Sequence, residues 1–139
     1  MKRMVFIGLF LSGLFVLNAC SGMNLAGTAG GGKTVTLTEK DNGKSIALAA
    51  GNKVVVQLAG NATTGYIWEA DNLDTKHIVQ IGTYIFSANS GLQGASGTFT
   101  LNFKILSSGK AVLNLIYHRP FEKGVPALKT FGVTVNIRN

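Results

Sequence analysis

The clearest structural signal in this chain is the segment Thr98-Phe99-Thr100-Leu101-Asn102-Phe103-Lys104-Ile105. An apolar side chain occupies every second position along these eight residues. Successive side chains of a β-strand point to opposite faces of a sheet, so this spacing predicts a strand with one face in a core and the other in water. The segment therefore predicts a sheet that is buried on one side.

The same two-residue alternation continues on both sides of this segment. Further strands are predicted at residues 34–38, 45–49, 53–58, 66–70, 77–81 with 84–87, 111–117 and 130–137. Polar, glycine-containing connectors typical of tight turns separate several of them, such as residues 107–110. Seven or eight short strands without intervening helical patterns predict an all-β fold. We expect an immunoglobulin-like antiparallel β-sandwich with Greek-key connections.

The inward positions of these strands supply the predicted core. Its members are Val54, Val56, Leu58, Trp68, Phe99, Leu101, Phe103, Ile105, Leu113, Leu115, Phe131, Val133 and Val135. Each such side chain gains roughly 1.5 to 3 kcal/mol on burial, before the entropy of ordering the chain is subtracted. The chain has one cysteine, which excludes an intramolecular disulfide, so packing alone has to stabilise the domain.

The N-terminal residues indicate export rather than fold. Lys2 and Arg3 precede an apolar run at residues 4–17, and the tetrapeptide Leu17-Asn18-Ala19-Cys20 resembles the lipobox of bacterial lipoproteins. This resemblance implies a signal peptide at residues 1–19 and a lipid on Cys20 that anchors the protein in a membrane. We expect a glycine-rich tether at residues 20–33 and a domain at residues 34–139. The alternative is an uncleaved signal with an ordinary buried cysteine.

Export and lipidation together predict a location. The protein would be anchored to the bacterial cell envelope, at the outer membrane, on its periplasmic or its surface side. Several acyl chains on one residue give stable membrane attachment, where a single chain would be marginal.

Charge and motifs exclude several classes of partner. Thirteen Lys and Arg stand against six Asp and Glu, and eleven basic residues remain without Lys2 and Arg3. No run of five basic residues occurs, so we predict no nucleic-acid partner. Residues 27–34 match the phosphate-loop pattern Gly-x-x-x-x-Gly-Lys-Thr, but a tether precedes them and a strand follows, so we predict no nucleotide site. Two histidines and one cysteine predict neither a metal nor another cofactor.

Three connecting segments are longer than a minimal turn. They are residues 60–68, 89–97 and 118–126, and each joins two predicted strands. Loops of a Greek-key sandwich can emerge at one end of the domain, as the antigen-binding loops of antibodies do. The three segments are therefore expected to form one continuous binding edge.

These segments carry a resemblance to a known family. Asn61-Ala-Thr-Thr-Gly-Tyr-Ile-Trp68, Gly94-Ala-Ser-Gly97 and Arg119-Pro-Phe-Glu122, in this order, resemble the signature loops of the chagasin family, inhibitors of papain-like cysteine peptidases. The family commonly has Pro at the position of Ala62 and Trp at that of Phe121. The resemblance implies that the following residues bind the peptidase: Asn61, Thr63, Thr64, Gly65, Tyr66, Gly94, Ala95, Ser96, Gly97, Arg119, Pro120 and Phe121.

The resemblance further implies a mechanism, reversible blocking of the active-site cleft by three loops of a protein that we expect to be a monomer. An enzyme is not predicted, because no Gly-x-Ser-x-Gly motif occurs and neither histidine has an evident carboxylate partner in the sequence. The alternative is a surface lipoprotein whose immunoglobulin-like domain serves adhesion or envelope assembly without inhibiting a peptidase.

Overall fold

A computed structural model describes residues 32–139 of the chain. Nine β-strands make up the fold: β1 (Thr34–Thr38), β2 (Ser45–Ala49), β3 (Lys53–Gly60), β4 (Ile67–Asp71), β5 (Ile78–Gln80), β6 (Ile85–Ala88), β7 (Gly97–Ile105), β8 (Gly109–His118) and β9 (Lys129–Arg138). Two single turns of 3-10 helix lie at Glu39–Asp41 and Ala62–Thr64. The predicted signal peptide and Cys20 lie outside the described residues.

The strands form two sheets that pack face to face. The first has the order β1-β3-β7-β5, with β6 also pairing β7, and the second has the order β2-β9-β8-β4. The orders β3-β7-β5 and β4-β8-β9 are those of the immunoglobulin sandwich. The prediction of an all-β immunoglobulin-like fold is confirmed.

The prediction that all strands pair antiparallel is wrong. β1 pairs β3 in parallel and β2 pairs β9 in parallel, so both sheets are mixed. The cause lies in the turn Glu39–Asp41, at which the chain leaves the first sheet for the second. β1, β2 and β3 alternate in direction, and because β2 belongs to the other sheet, β1 and β3 become neighbours that run the same way.

The strand count is also one higher than predicted. The two pieces 77–81 and 84–87, which the prediction counted together, form two separate strands, β5 and β6, and both pair with β7. Gly82, with a φ of +70°, lies in the break. A φ of this sign is one that residues with a side chain rarely adopt, so the glycine allows the chain to leave the ladder and return to it.

The core lies between the sheets and contains nineteen buried hydrophobic side chains. All the predicted core residues are among them, from Val54 to Val135. Among residues 32–139, the first buried hydrophobic side chain is Leu37 and the last is Ile137, so the core extends over nearly all of the described range. Within that range, no buried side-chain nitrogen or oxygen lacks a hydrogen-bond partner. A domain of these residues therefore has what it needs to fold independently.

The sandwich has two distinct ends. One carries the connections after β3, β6 and β8, and we call it the loop end. The other, here the base, carries the β2–β3 and β7–β8 turns and the start of β1. Backbone hydrogen bonds between Gly51 and Ile105 (2.9 Å) and between Ala50 and Arg138 (2.8 Å) join both sheets at the base. The first described residues thus enter the domain at the end opposite the loops.

Candidate functional site

Three loops meet at the loop end. The central loop (61–66) lies between the β6–β7 loop (89–96) and the β8–β9 loop (119–128). Asn61 Nδ2 donates to the carbonyl of Gly94 at 2.9 Å on one side. Arg119 Nε donates to the carbonyl of Thr64 at 3.0 Å on the other. The structure thus brings all three predicted segments together, and we call this surface the three-loop edge.

The central loop is a capped turn of 3-10 helix. Asn61 precedes the turn, and its Oδ1 accepts hydrogen bonds from the backbone N–H of Thr63 (3.0 Å) and from the Thr63 hydroxyl (2.6 Å). The Thr64 hydroxyl donates back to the Asn61 carbonyl at 2.6 Å. Asparagine is among the best residues at such a cap because its side chain satisfies amides that the turn leaves free. Since Ala62 also packs against the core, the loop keeps a defined shape without a proline.

Gly65 ends this turn in the left-handed conformation, with φ +80° and ψ −1°. A Cβ at this position would also lie 3.1 Å from Cε1 of Phe121. The aromatic ring of the β8–β9 loop therefore lies against the glycine of the central loop. Glycine is required here both for the backbone conformation and for the space that Phe121 fills.

Phe121 is nevertheless 70% exposed, and Pro120 beside it is exposed as well. Aromatic side chains are enriched at protein–protein interfaces relative to the rest of the surface, so Phe121 is a candidate contact with a partner. Because one side of the Phe121 ring is packed on Gly65, the side chain is held in place before any partner arrives.

Arg119 links the β8–β9 loop to the central loop through two contacts and makes a third within its own loop. Besides its bond to Thr64, Nη1 lies 2.9 Å from Glu122 Oε1 and the guanidinium lies 4.4 Å from the centre of the Tyr66 ring. The hydrogen bond to Glu122 raises the pKa of Arg119 above its ordinary value. Arg119 therefore acts mainly as a brace between two loops.

Tyr117 supports the edge from below, and the sequence did not identify it as a site residue. Its hydroxyl accepts the backbone N–H of Asn61 at 2.8 Å. Its ring stacks on Tyr66 at 5.1 Å and lies 5.2 Å from the ring of Trp68, which is buried. The sequence does contain a signal for it, because Leu113, Leu115 and Tyr117 alternate along one predicted strand. This alternation places the Tyr117 side chain on the inward face, where its hydroxyl needs a hydrogen-bond partner.

The β6–β7 loop contributes Gly94, Ala95 and Ser96 to the surface. A bond from the Asn89 amide to the Ser96 carbonyl (2.9 Å) closes the loop at its base. Gly97 is different, because it is buried in β7, where a Cβ would collide with the carbonyl of Ser87. Gly97 therefore permits the loop's close packing and does not face a partner.

The same loop presents an exposed apolar side chain that the sequence analysis overlooked. Leu92 is 77% exposed at its tip. A lone leucine between glycines carries no periodic signal, so only the folded loop shows that it projects.

A second cluster, at the base, has the residue types of a hydrolytic triad. Ser107 Oγ lies 3.0 Å from His77 Nδ1, and Asp74 Oδ2 lies 3.9 Å from His77 Nε2. Away from the base, His118 Nε2 lies 2.8 Å from Glu69 Oε2, so each histidine has a carboxylate nearby that was not evident in the sequence. The Ser107 hydroxyl, however, donates to the carbonyl of Lys76 at 2.9 Å. The hydroxyl proton of Ser107 is therefore used in a hydrogen bond that joins the turn before β5 to the β7–β8 turn. We interpret this cluster as a structural contact and not as a catalytic triad.

The three-loop edge itself offers shape rather than reactive groups. Its charged side chains are Arg119 and Glu122, which pair with each other, and the exposed Lys123, while the rest of its exposed surface comes from backbone, hydroxyls and apolar side chains. Residues 32–139 contain no group of three potential metal ligands. Such an edge is suited to occupying a cleft in another protein.

Comparison with known proteins agrees with this geometry. The family model described as "Chagasin family peptidase inhibitor I42" matches residues 47–135. Amoebiasin-1 of Entamoeba histolytica is 28% identical over 105 residues, which cover 75% of this chain and all of that protein. Chagasin of Trypanosoma cruzi is 29% identical over 89 residues, covering 61% of this chain and 81% of its own.

Solved structures show the same likeness. The cysteine protease inhibitor EhICP2 from Entamoeba histolytica superposes with a TM-score of 0.67 at 28% identity, over 76% of this chain and 96% of its own. The solution structure of Amebosin superposes with a TM-score of 0.63 at 28% identity, over 78% of this chain and all of its own. About three quarters of this chain therefore corresponds to almost the full length of these proteins.

Proposed function

This chain belongs to the chagasin family of peptidase inhibitors, and from that premise we propose that its three-loop edge is the surface that blocks papain-like cysteine peptidases. The protein is an inhibitor of cysteine peptidases and not an enzyme. The observation that carries the assignment of the edge is the pair of hydrogen bonds from Asn61 to Gly94 and from Arg119 to Thr64. These bonds make three loops one rigid surface.

The central loop is the part that reaches deepest into the cleft. Thr63 and Thr64 are exposed at the middle of the edge, and Gly65 follows without a side chain. A narrow turn of this kind can approach a catalytic cysteine at the bottom of a groove more closely than bulky side chains would allow. We assign Thr64 and Gly65 to the position nearest the thiolate.

The inhibitor resists cleavage for a reason that the geometry of this loop supplies. A peptide that is cut is bound extended, with its carbonyl free to enter the oxyanion hole. The Thr64 carbonyl instead accepts the hydrogen bond from Arg119, and Gly65 holds the backbone in a left-handed turn. The peptide bond between them is therefore not presented for attack, and the block is reversible.

The flanking loops supply area and affinity. Gly94, Ala95 and Ser96 face one wall of the cleft, with Leu92 projecting beside them, while Phe121 covers the other wall. An interface of roughly 800 Å² per partner is ordinary for protease inhibitors. Because the loops are ordered before docking, little of the binding free energy is lost in ordering them.

The test is a titration of residues 32–139 against papain and against a cathepsin L type enzyme. We expect stoichiometric, reversible loss of activity, with the inhibitor recovered uncut. Phe121→Ala should raise the inhibition constant by at least about tenfold, mainly through faster dissociation. Ile85→Ala, which truncates a similarly exposed residue on β6, should leave it unchanged. If both substitutions changed the inhibition constant equally, Phe121 would not be a specific contact with the peptidase.

We also propose that the protein is exported and anchored through a lipid on Cys20, at the bacterial outer membrane. The support is in the sequence, in Lys2, Arg3, the apolar run and the tetrapeptide that ends at Cys20. None of the helices among residues 32–139 is long and apolar enough to span a membrane. Cys20→Ser should move the full-length protein from the membrane fraction to the soluble fraction, and its persistence in membranes would overturn the anchor.

A further inference from the structure

Folding collects positive charge at the base of the sandwich. The eleven basic residues after Arg3 are spread along the sequence with no run among them. Six of them nevertheless lie on strands and turns at the base: Lys33, Lys53, Lys76, Lys104, Lys110 and Arg138. We call these six residues the basal cations.

The basal cations are exposed and unpaired. All six residues are exposed, and none of the salt bridges among residues 32–139 includes one of them. The acidic residues on this side are Asp71 and Asp74, and Asp74 faces His77. By contrast, Lys44 and Arg119, elsewhere on the domain, each pair with a carboxylate. The base therefore carries a net positive charge that nothing within the described domain neutralises.

Two of these cations face each other directly. Lys53 on β3 is the cross-strand partner of Lys104 on β7, and both project from the outer face of the first sheet. Like charges directly opposite each other on a sheet repel and destabilise the pair. The backbone amide of Lys53 also bonds the carbonyl of Lys33, which holds a third basic residue beside them. Such repulsion is relieved when an anionic surface supplies the counter-charge.

We propose that the basal cations bind an anionic phospholipid surface. Exposed lysines and arginines gathered at one end of a domain are attracted to acidic lipid headgroups, within the short range that salt screening leaves. Leu106, 43% exposed in the β7–β8 turn, adds an apolar side chain among them that can enter the headgroup layer. This electrostatic attraction to the membrane comes from residues of the folded domain and does not require a lipid on Cys20.

The position of this surface sets the orientation of the molecule. Gly32 and Lys33 lead into β1 at the base, so the chain enters the domain on the side that meets the membrane. The three-loop edge is at the opposite end, because β3, β6 and β8 run from the base towards it. Docking by the base therefore directs the edge away from the bilayer.

The experiment is co-sedimentation of residues 32–139 with lipid vesicles. We expect binding to phosphatidylcholine vesicles that contain about 30% phosphatidylglycerol and none to phosphatidylcholine alone. Binding should be lost near 1 M salt, where the screening length falls to about 3 Å. Equal binding to both vesicles, or binding that survives high salt, would overturn the proposal.

A charge-reversal pair locates the surface. Lys53→Glu with Lys104→Glu should weaken vesicle binding by at least about tenfold. Lys40→Glu with Lys123→Glu, away from the base, changes the net charge equally and should weaken it far less. If both variants lost vesicle binding equally, binding would depend only on the net charge of the domain, and the basal site would be refuted. Thermal unfolding of each variant confirms its fold. Peptidase inhibition by the Lys53→Glu, Lys104→Glu variant should match that of the wild type, because neither residue belongs to the three-loop edge.

Discussion

The hydroxyl of Tyr117 accepts the backbone N–H of Asn61 across 2.8 Å, and this bond connects the core to the three-loop edge. Tyr117 is 4% exposed at the end of β8, whereas Asn61 begins the central loop. The Tyr66 ring stacks on Tyr117, and the buried, tilted ring of Trp68 continues the contact into the sandwich. The height and tilt of the central loop are therefore set by a core side chain.

Tyr117→Phe tests this connection. The variant keeps the ring and its stacking but leaves the Asn61 amide without its acceptor, which should lower the free energy of unfolding by about 1 kcal/mol and raise the inhibition constant. Thermal unfolding and peptidase titration measure the two effects. Tyr84→Phe is the control, because the Tyr84 ring packs on Phe99 but its hydroxyl makes no hydrogen bond within residues 32–139. A Tyr117→Phe domain that inhibits like the wild type would contradict the proposed support.

Substitutions of Asn61 separate the two roles of this side chain. Aspartate caps a helical turn as well as asparagine does, but it cannot donate to the Gly94 carbonyl. We expect Asn61→Asp to keep the central turn while losing the link to the β6–β7 loop, and Asn61→Ala to lose both. Inhibition should therefore weaken in the order wild type, Asp, Ala, measured as dissociation rates of the complex. Indistinguishable rates for Asp and wild type would show that the link does not matter.

Gly65→Ala should disturb the edge more than its backbone strain alone predicts. A residue with a Cβ at φ +80° costs roughly 1 to 2 kcal/mol, and this Cβ also displaces Phe121. Gly43→Ala is a matched control, since Gly43 has φ +79° but nothing within 4 Å of its Cβ position. Both variants should lose similar stability, and only Gly65→Ala should lose inhibition. If Gly43→Ala weakened inhibition equally, the contact with Phe121 would be irrelevant.

Asp41 should make stability sensitive to acid. A hydrogen bond from the Thr38 amide (2.9 Å), helped by Lys44, lowers the pKa of Asp41 below the ordinary 3.8. Because the folded-state pKa is lowered, the stabilisation is complete above the unfolded-state pKa, which is close to the ordinary 3.8, and is lost as the pH falls through the folded-state pKa. Asp41→Asn should therefore be less stable than the wild type at neutral pH, and the difference should vanish at strongly acidic pH. Denaturant unfolding at several pH values measures it, and a difference that does not change with pH would contradict this.

The sequence predicted most of the sandwich because its signal is local. Alternation at residues 98–105 and in the flanking segments placed β7 and its neighbours, and each predicted core residue is buried. The parallel pairs β1–β3 and β2–β9 could not be read in this way, because the partner of a strand depends on where the chain changes sheets.

The site was predictable in part for the same reason. The three motifs marked the loops, and the fold brought them together. Tyr117, which holds them, is separated from Asn61 by 56 residues, and the pairing of Lys53 with Lys104 likewise exists only in the folded register. Contacts between residues so distant leave no pattern within either segment.

The parallel pairing of β1 with β3 has a mechanical consequence. If a captured peptidase is pulled away while the chain is held at residue 32, tension runs along the strands from one pole to the other. β1 would then slide past β3, and the ladder from Thr34–Lys53 to Thr38–Gln57 shares the load instead of opening one bond at a time. The first strand of the domain is thus loaded in shear, the direction in which a β ladder resists force best.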